Sequence, residues 1–174
     1  MHKDKIADLL EEKYHTLLDW LEVQDDEKWI QNPKGEWTTG QQALHLLQSI
    51  IPLNNALSMP KFLLRYRFGK TNQEVNDYGV IVERYLTRLK EAEGKTFKGS
   101  RKLKIPKIED KTYILTRLQV ESKKLQYKAR KITDENLDTL LLPHPLMGKM
   151  PIRQILMCNA YFVDHRTKAL KENF

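Results

Sequence analysis

The segment that decides the fold is WTTGQQALHLLQSIIPLNNALSMP, which runs from Trp37 to Pro60 and contains no charged residue. Its apolar residues recur at three- and four-residue spacing, which is typical of a helix with one apolar face. They are Ala43, Leu46, Leu47, Ile50, Leu53 and Leu57. Thr39 stands three residues before Gln42, the spacing of a capping box, and the helix should end before Ser58-Met59-Pro60. Since 30% of the chain is charged, an uncharged helix is expected to be covered on most sides.

A polar but uncharged stripe lies on the other side of this predicted helix. It consists of Gln41, Gln42, His45, Gln48 and Ser49. Such a stripe is covered by another element or a second subunit, or it lines a cavity where a ligand, water or metal meets His45. For a lone helical histidine, a hydrogen-bonded structural role is the commoner case. The stripe alone leaves these alternatives open.

The rest of the chain shows the same helical periodicity, and no alternating run typical of a strand persists. Helices are expected at Lys3 to Val23, Lys61 to Phe68 with a stop at Gly69, Tyr78 to Gly94, Lys111 to Lys131, Thr133 to Leu141, and from Pro151 onward. The longest four of these, counting the helix after Trp37, would form the bundle. The sequence therefore predicts a single all-α domain, residues 1–174, built as a four-helix bundle with an extra helix inserted between its second and third helices.

Charge is spread unevenly along the 174 residues. Thirty Lys and Arg against 23 Asp and Glu give a net charge of +7, enough to attract anions. Six of the basic residues and no acid fall between Lys95 and Lys107. A solvated loop is the first interpretation of this segment, and an anion or nucleic-acid surface is the alternative. Phe97 is its one aromatic residue, which argues against a stacking surface for single strands.

Location and redox state follow from what the sequence lacks. Cys158 is the one cysteine, so an internal disulfide and a cysteine metal cluster are excluded. No stretch has the apolar length of a signal peptide or a membrane span. We therefore expect a cytoplasmic protein without membrane contact.

Candidate chemistry lies where the last helix faces the second long helix. The side chains concerned on the last helix are Cys158, Tyr161, Phe162 and His165. His45 lies two turns inside the start of its helix, and His165 about two turns before the end of the last helix. If these helices are antiparallel, both histidines lie at one level with Tyr161 a turn away. We predict a polar pocket there, lined by His45, Tyr161 and His165, with Gln42 and Ser49 one turn either side of His45.

Three segments in this order resemble one known family. They are Trp37 to Leu46, His144 to Ile152 with its His-Pro-Leu-Met-Gly core, and Tyr161 to Arg166. Together they resemble the DinB/YfiT-like superfamily of four-helix bundles. The resemblance implies a divalent metal, often nickel or zinc, held by one histidine on the second helix and a His-x3-His pair on the last. By position, His45 and His165 match the outer ligands.

The middle ligand position of that pattern holds Tyr161. Open catalytic metal sites normally use three protein ligands plus water, so two imidazoles hold a metal poorly. Two hypotheses follow. The first is a bundle with a degenerate metal site that binds a small ligand or a partner without catalysis. The alternative is a metal-dependent hydrolase or thiol transferase, which the resemblance implies for metal-bearing relatives; the catalytic residues stay unassigned.

Other histidines and the cysteine offer weaker candidates. His15 lies opposite the apolar stripe of the first helix and is expected to be exposed. His144, about 30 Å from His165 by helix rise, is predicted to be a turn or cap residue. A pair of Cys158 and His165 on one helix face is geometrically possible, but a buried structural cysteine is the commoner case.

Association is predicted from the second long helix. Leu44 and Ile51 lie away from its main apolar stripe, so this helix needs more cover than one bundle interior provides. A homodimer would supply that cover. The inserted middle helix could supply it within one chain, which is the competing explanation.

Overall fold

The computed structural model describes residues 1–32, 34–93 and 103–174. Its elements are α1 (Lys3–Glu22), α2 (Asp26–Ile30), α3 (Thr39–Ser58), α4 (Lys61–Phe68), α5 (Tyr78–Glu91), a 3-10 turn (Ile108–Asp110), α6 (Lys111–Lys131), α7 (Asp134–Thr139), β1 (Leu141–His144), β2 (Gly148–Pro151) and α8 (Ile152–Asn173). Helix dominates these ranges, so the predicted helical fold class is confirmed. The four long helices are α1, α3, α6 and α8, and α4 and α5 form the insertion.

The ends of α1 and α6 show how the first two long helices pack. Lys3 Nζ donates to the Ile132 carbonyl at 3.1 Å, which ties the start of α1 to the end of α6. Lys111 Nζ donates to the Gln24 carbonyl, two residues after α1, at 2.9 Å, which places the start of α6 beside the end of α1. These two helices are therefore antiparallel over their full length.

The directions of α3 and α8 follow from their contacts with α6 and α1. Asn54 on α3 donates to Glu121 on α6 at 2.8 Å, and Ser58 accepts from Lys128 a turn later, so α3 and α6 are parallel. Arg153 Nη1 donates to the Met1 carbonyl, and further along both helices Lys13 pairs with Asp164, so α8 starts beside the start of α1 and is parallel to it. It follows that α3 and α8 are antiparallel, as the predicted site requires. Close backbone packing joins α3 to α6, α6 to α1 and α1 to α8, whereas α5 packs on α8.

The start of α3 differs by one residue from the prediction. Thr38, not Thr39, is the N-cap: its hydroxyl accepts from Gln41 N at 3.1 Å, and Gln41 Oε1 accepts from Thr38 N at 3.0 Å. The capping box is thus Thr38 with Gln41. Two adjacent threonines and two adjacent glutamines give the same spacing twice, so spacing alone could not choose between them.

Between α1 and α3, where no helix is predicted, the chain forms a short helix, α2. Its Trp29 is fully buried, and the indole Nε1 donates to the Lys107 carbonyl at 3.1 Å. Gln41 Nε2 likewise donates to the Leu103 carbonyl at 2.7 Å. The described end of the basic segment is therefore fastened beside the start of α3. Residues 94–102, with the predicted helix end at Gly94 and most basic side chains of the segment, lie outside the described residues, so nucleic-acid binding stays a prediction.

A small hairpin precedes α8, where the sequence predicts a loop. β1 and β2 pair antiparallel, with Leu141 opposite Pro151 and His144 opposite Gly148. Gly148 has φ +76°, a conformation that glycine adopts without strain. The prolines on either side of His144 and the four-residue strand length explain why the sequence pattern does not reveal these strands. The hairpin folds back along α8 and carries His144 with it.

Leu44 and Ile51, which motivated the predicted dimer, are half-buried against the core of the same chain. Part of the cover they need is therefore supplied without a partner, and the homodimer stays a prediction. Among the helices of the described residues, none combines the length and the apolar content needed to cross a bilayer.

Gly40 provides a test of the packing that positions α3. A Cβ atom there would lie 2.6 Å from the Trp29 carbonyl oxygen and 2.9 Å from Pro106 Cγ. We expect Gly40→Ala to lower the free energy of unfolding by about 1–3 kcal/mol, because a rigid backbone atom must move. Gly79→Ala is the matched control, since nothing lies within 4 Å of its added methyl group. It should be neutral or stabilise by up to about 1 kcal/mol, measured by urea unfolding. Equal losses for both variants would contradict this packing.

Candidate functional site

His45 lies on the side of α3 that faces α8. Its half-buried imidazole ring is 5.2 Å from the Trp37 ring and 6.1 Å from the Phe162 ring on α8, both edge to face. The antiparallel course of the two helices thus brings His45 to the level of the predicted residues on α8. Burial, and secondly the charge of Arg166, lower the pKa of His45, so its ring is neutral at pH 7.

Tyr161 and His165 form the neighbouring side of α8. Their half-buried rings stack at 5.9 Å with an interplanar angle of 24°. Burial, and secondly Arg166, lower the pKa of His165. Of the predicted lining residues, these two contact each other, while His45 reaches α8 through Phe162.

The inserted helix α5 adds a residue that the sequence interpretation did not assign to the site. Tyr85 is buried, and its ring lies 5.6 Å from the Tyr161 ring and 6.4 Å from the His165 ring. Burial raises its pKa to about 12, so the phenol is neutral. Tyr85 belongs to the apolar stripe of α5, and that stripe predicts burial without naming the partner.

Arg166 is the charged residue of this site. Its guanidinium carbon lies 5.4 Å from the centre of the Phe162 ring. Its Nε is buried and has no hydrogen-bond partner among the described residues. Asp164, two residues earlier, is paired with Lys13 at 3.3 Å and with Lys168 at 2.7 Å. A buried guanidinium N–H without an acceptor is costly, so this atom indicates a place for an acceptor.

The two flanking residues of the predicted pocket behave differently. Gln42 Oε1 is buried without a partner among the described residues, so it has a free acceptor. Ser49 Oγ donates to the Leu46 carbonyl of its own helix at 2.8 Å, which uses its proton locally. Gln42 therefore remains a candidate lining residue, and Ser49 has a structural role.

The donor set does not fit the metal site that the resemblance implies. The three positions hold two imidazoles, of His45 and His165, and the phenol of Tyr161. Within the described part of the chain, no group of three His, Cys, Asp or Glu side chains is placed to hold a metal ion. Two neutral imidazoles fall short of the three protein ligands of an open site.

His144 lies in a position that helix rise did not predict. Its Nε2 is 3.7 Å from Cys158 Sγ, and its ring lies 6.4 Å from the Tyr85 ring, which also contacts His165. The expected separation of about 30 Å between His144 and His165 is therefore wrong, because it treats the chain before α8 as an extension of the helix axis. The hairpin reverses that direction. The expected exposure of His15 is confirmed.

The pair of Cys158 and His144 is structural. His144 Nδ1 accepts from the backbone N–H groups of Leu146 and Met147, each at 3.1 Å, so the turn role predicted for His144 is confirmed. The ring proton is then on Nε2 and points at the sulfur. Burial raises the pKa of the fully buried Cys158 thiol to about 12, so a thiolate nucleophile is absent at neutral pH.

Comparison with known proteins adds no identification: no protein-family model, curated protein or solved structure matches this chain.

The turn histidine predicts a pH dependence of stability. Burial lowers the pKa of His144 from 6.5 to about 4, so between these values the unfolded chain binds more protons than the folded chain. The free energy of unfolding should therefore fall as the pH drops through this window. His144→Asn keeps an acceptor for the two N–H groups without a titrating group, and should reduce the slope measured by urea unfolding. His15→Asn, at an exposed position, should leave the slope unchanged; an unchanged slope in His144→Asn would contradict the assignment.

Proposed function

We propose that this chain is a DinB-like bundle that binds a small organic ligand, carrying a carboxylate and an aromatic or apolar body, between α3, α5 and α8. The observation that supports it is Arg166, whose buried Nε lacks an acceptor beside a group of half-buried rings. In this proposal the ligand occupies the region that holds the metal in the family, and the chain performs no metal-dependent catalysis there.

The guanidinium supports a carboxylate ligand. A guanidinium binds a carboxylate through two parallel hydrogen bonds, and a partly desolvated pair of this kind is among the stronger polar interactions in proteins. Within the described residues Arg166 forms no salt bridge, and Asp164, two residues away on a different face of α8, pairs with Lys13 and Lys168, so the guanidinium is open to an incoming anion. The depressed pKa values of His45 and His165 keep both imidazoles neutral, so they offer hydrogen bonds without adding charge.

The rings support an aromatic or apolar body for the ligand. Five rings, from α3, α5, α8 and the segment just before α3, lie near the Arg166 side of α8, and all except Tyr85 are half-buried, so they reach solvent. They are Trp37, His45, Tyr85, Tyr161 and Phe162. Edge-to-face and offset ring contacts of this kind contribute about 0.5–1.5 kcal/mol each beyond the apolar area they bury. A phenol at the middle ligand position extends this aromatic surface where a third imidazole would bind metal.

Arg166 gives the direct test. Phenylacetate is the probe, and benzyl alcohol is its uncharged counterpart, followed by amide shifts in a nitrogen-15 NMR titration and by Trp37 fluorescence, with Trp37→Phe as the reference. We expect saturable binding of phenylacetate that Arg166→Gln weakens by about 10- to 100-fold, since a charge-assisted hydrogen bond is lost. Arg166→Lys should recover part of it.

The matched control is Arg130→Gln on α6, where the arginine pairs with Asp8 at the surface. It should leave binding unchanged. Equal affinity for phenylacetate and benzyl alcohol, or equal losses in the Arg166 and Arg130 variants, would contradict an anion site at Arg166.

Metal content tests the alternative function. Protein purified without a metal-affinity tag should contain substoichiometric nickel, zinc and manganese by elemental analysis, because two imidazoles bind weakly. Tyr161→His should complete a three-imidazole set and raise affinity for zinc, and His45→Ala in that background should remove it. Stoichiometric metal in the unaltered protein, lost in His45→Ala, would instead support the metal-dependent enzyme and overturn the proposal.

A further inference from the structure

A second candidate site lies at the opposite end of α8, in a cavity of about 380 Å³. Its wall combines the segment after α4, one residue of α5, the hairpin and the first turn of α8. The lining residues that matter here are Lys70, Thr71, Arg84, Lys149 and Gln154. This volume lies within the range of small-molecule sites in proteins, and none of these residues belongs to the site around Arg166.

Gln154 points to a ligand in this cavity. The residue is only 4% exposed and lines the cavity, yet its side-chain amide makes no hydrogen bond to the rest of the described chain. This amide has two donors and one acceptor, with which water or a polar molecule in the cavity can form hydrogen bonds.

The first turn of α8 adds a positive partial charge at the same wall. The N-cap of this 22-residue helix is Pro151, which has no side-chain acceptor, and Pro151 also lines the cavity. The Ile152 N–H donates to the Leu140 carbonyl. The following N–H groups of the first turn have no cap among the described residues. Uncapped N–H groups and the helix dipole favour an anion at this position.

The side chains that line the cavity include three cations and one carboxylate, so its wall carries a net positive charge. Lys70, Arg84 and Lys149 line it together with Glu74, and within residues 1–32, 34–93 and 103–174 none of the three cations forms a salt bridge. Arg84 is oriented by one hydrogen bond from its Nη2 to the Met147 carbonyl at 3.3 Å. The remaining guanidinium N–H groups are free to bind a ligand.

Backbone hydrogen bonds hold the segment after α4 in place around the cavity. Thr71 N donates to the Thr139 carbonyl at 2.8 Å, and Leu141 N donates to the Gly69 carbonyl at 3.3 Å. Gly69 permits this course because its φ of +93° is accessible to glycine. Lys70 therefore projects from a backbone held against β1, so the cavity is formed before a ligand arrives.

From these observations we infer that this cavity binds a small phosphate monoester with a hydroxylated body. A phosphate monoester carries about −1.5 to −2 charges at pH 7 and three acceptor oxygens, which matches an excess of two cations and an uncapped helix turn. Thr71, Asn76 and Gln154 supply hydrogen bonds for hydroxyl groups beyond the phosphate. The cavity is larger than an inorganic phosphate needs, so the organic part lies within it.

The test uses the full chain with glucose 6-phosphate as the probe, and inorganic phosphate and glucose as the comparison ligands. We expect saturable binding of the monoester by calorimetry, with amide shifts centred on Thr71, Lys149 and Gln154. Arg84→Gln should weaken binding about tenfold or more. Gln154→Met, which keeps the volume and removes the amide, should also weaken it; if that variant does not fold, the exposed Lys149→Gln supplies the same test.

The matched control is Arg88→Gln, one turn further along α5, where the arginine pairs with Glu91 at the surface. Its binding should stay within about a factor of two of the unaltered protein, since an exposed pair contributes little. Equal weakening by the Arg88 and Arg84 variants would show general attraction by the positive chain and overturn the site. Inorganic phosphate binding as tightly as the monoester would overturn the organic ligand. Arg166→Gln should not affect this binding, which separates the outcome from that of the proposed function.

Discussion

The apolar face of α1 is the contact on which the rest of the fold depends. Seven of its residues are buried, from Ile6 to Leu21, and they pack against α6 on one side and α8 on the other. Tyr14, one of these buried residues, also makes a polar contact, because its hydroxyl donates to Asn159 Oδ1 on α8 at 3.0 Å. Because α1 and α6 hold the centre, α3 and α8 meet through side chains such as His45 and Phe162. The candidate site lies at that contact.

Helix positions were accessible from sequence because periodicity and stop signals are local. The bounds of α1, α3, α4 and α6 agree with the predictions within a residue or so, and Gly69 ends α4 as expected. The shared level of His45 and the α8 residues also followed, since helix rise and an antiparallel course determine it. Local patterns thus predicted the helices that carry the candidate site and the two imidazoles, of His45 and His165.

The parts of the site that the sequence did not predict depend on contacts between distant segments. Tyr85 looked like any apolar residue of an amphipathic helix, and which rings it meets depends on where α5 packs. His144 was misplaced because a two-proline hairpin carries no alternating signal. The open hydrogen-bonding capacity of Arg166 appears only when its neighbours are known, because the sequence does not show which acceptors on other elements reach its guanidinium. Packing and partner choice of this kind are not encoded in spacing.

The position of α5 has a consequence for how the two ends of α8 communicate. Arg84 and Tyr85 are consecutive residues, yet the first lines the cavity at the start of α8 and the second contacts the rings of Tyr161 and His165 further along that helix. A rigid shift of α5 along α8 would therefore alter both places at once. By thermodynamic linkage, a ligand that favours one position of α5 at either place changes the affinity at the other by the same factor. This short inserted helix would act as a coupling element between two regions of the bundle.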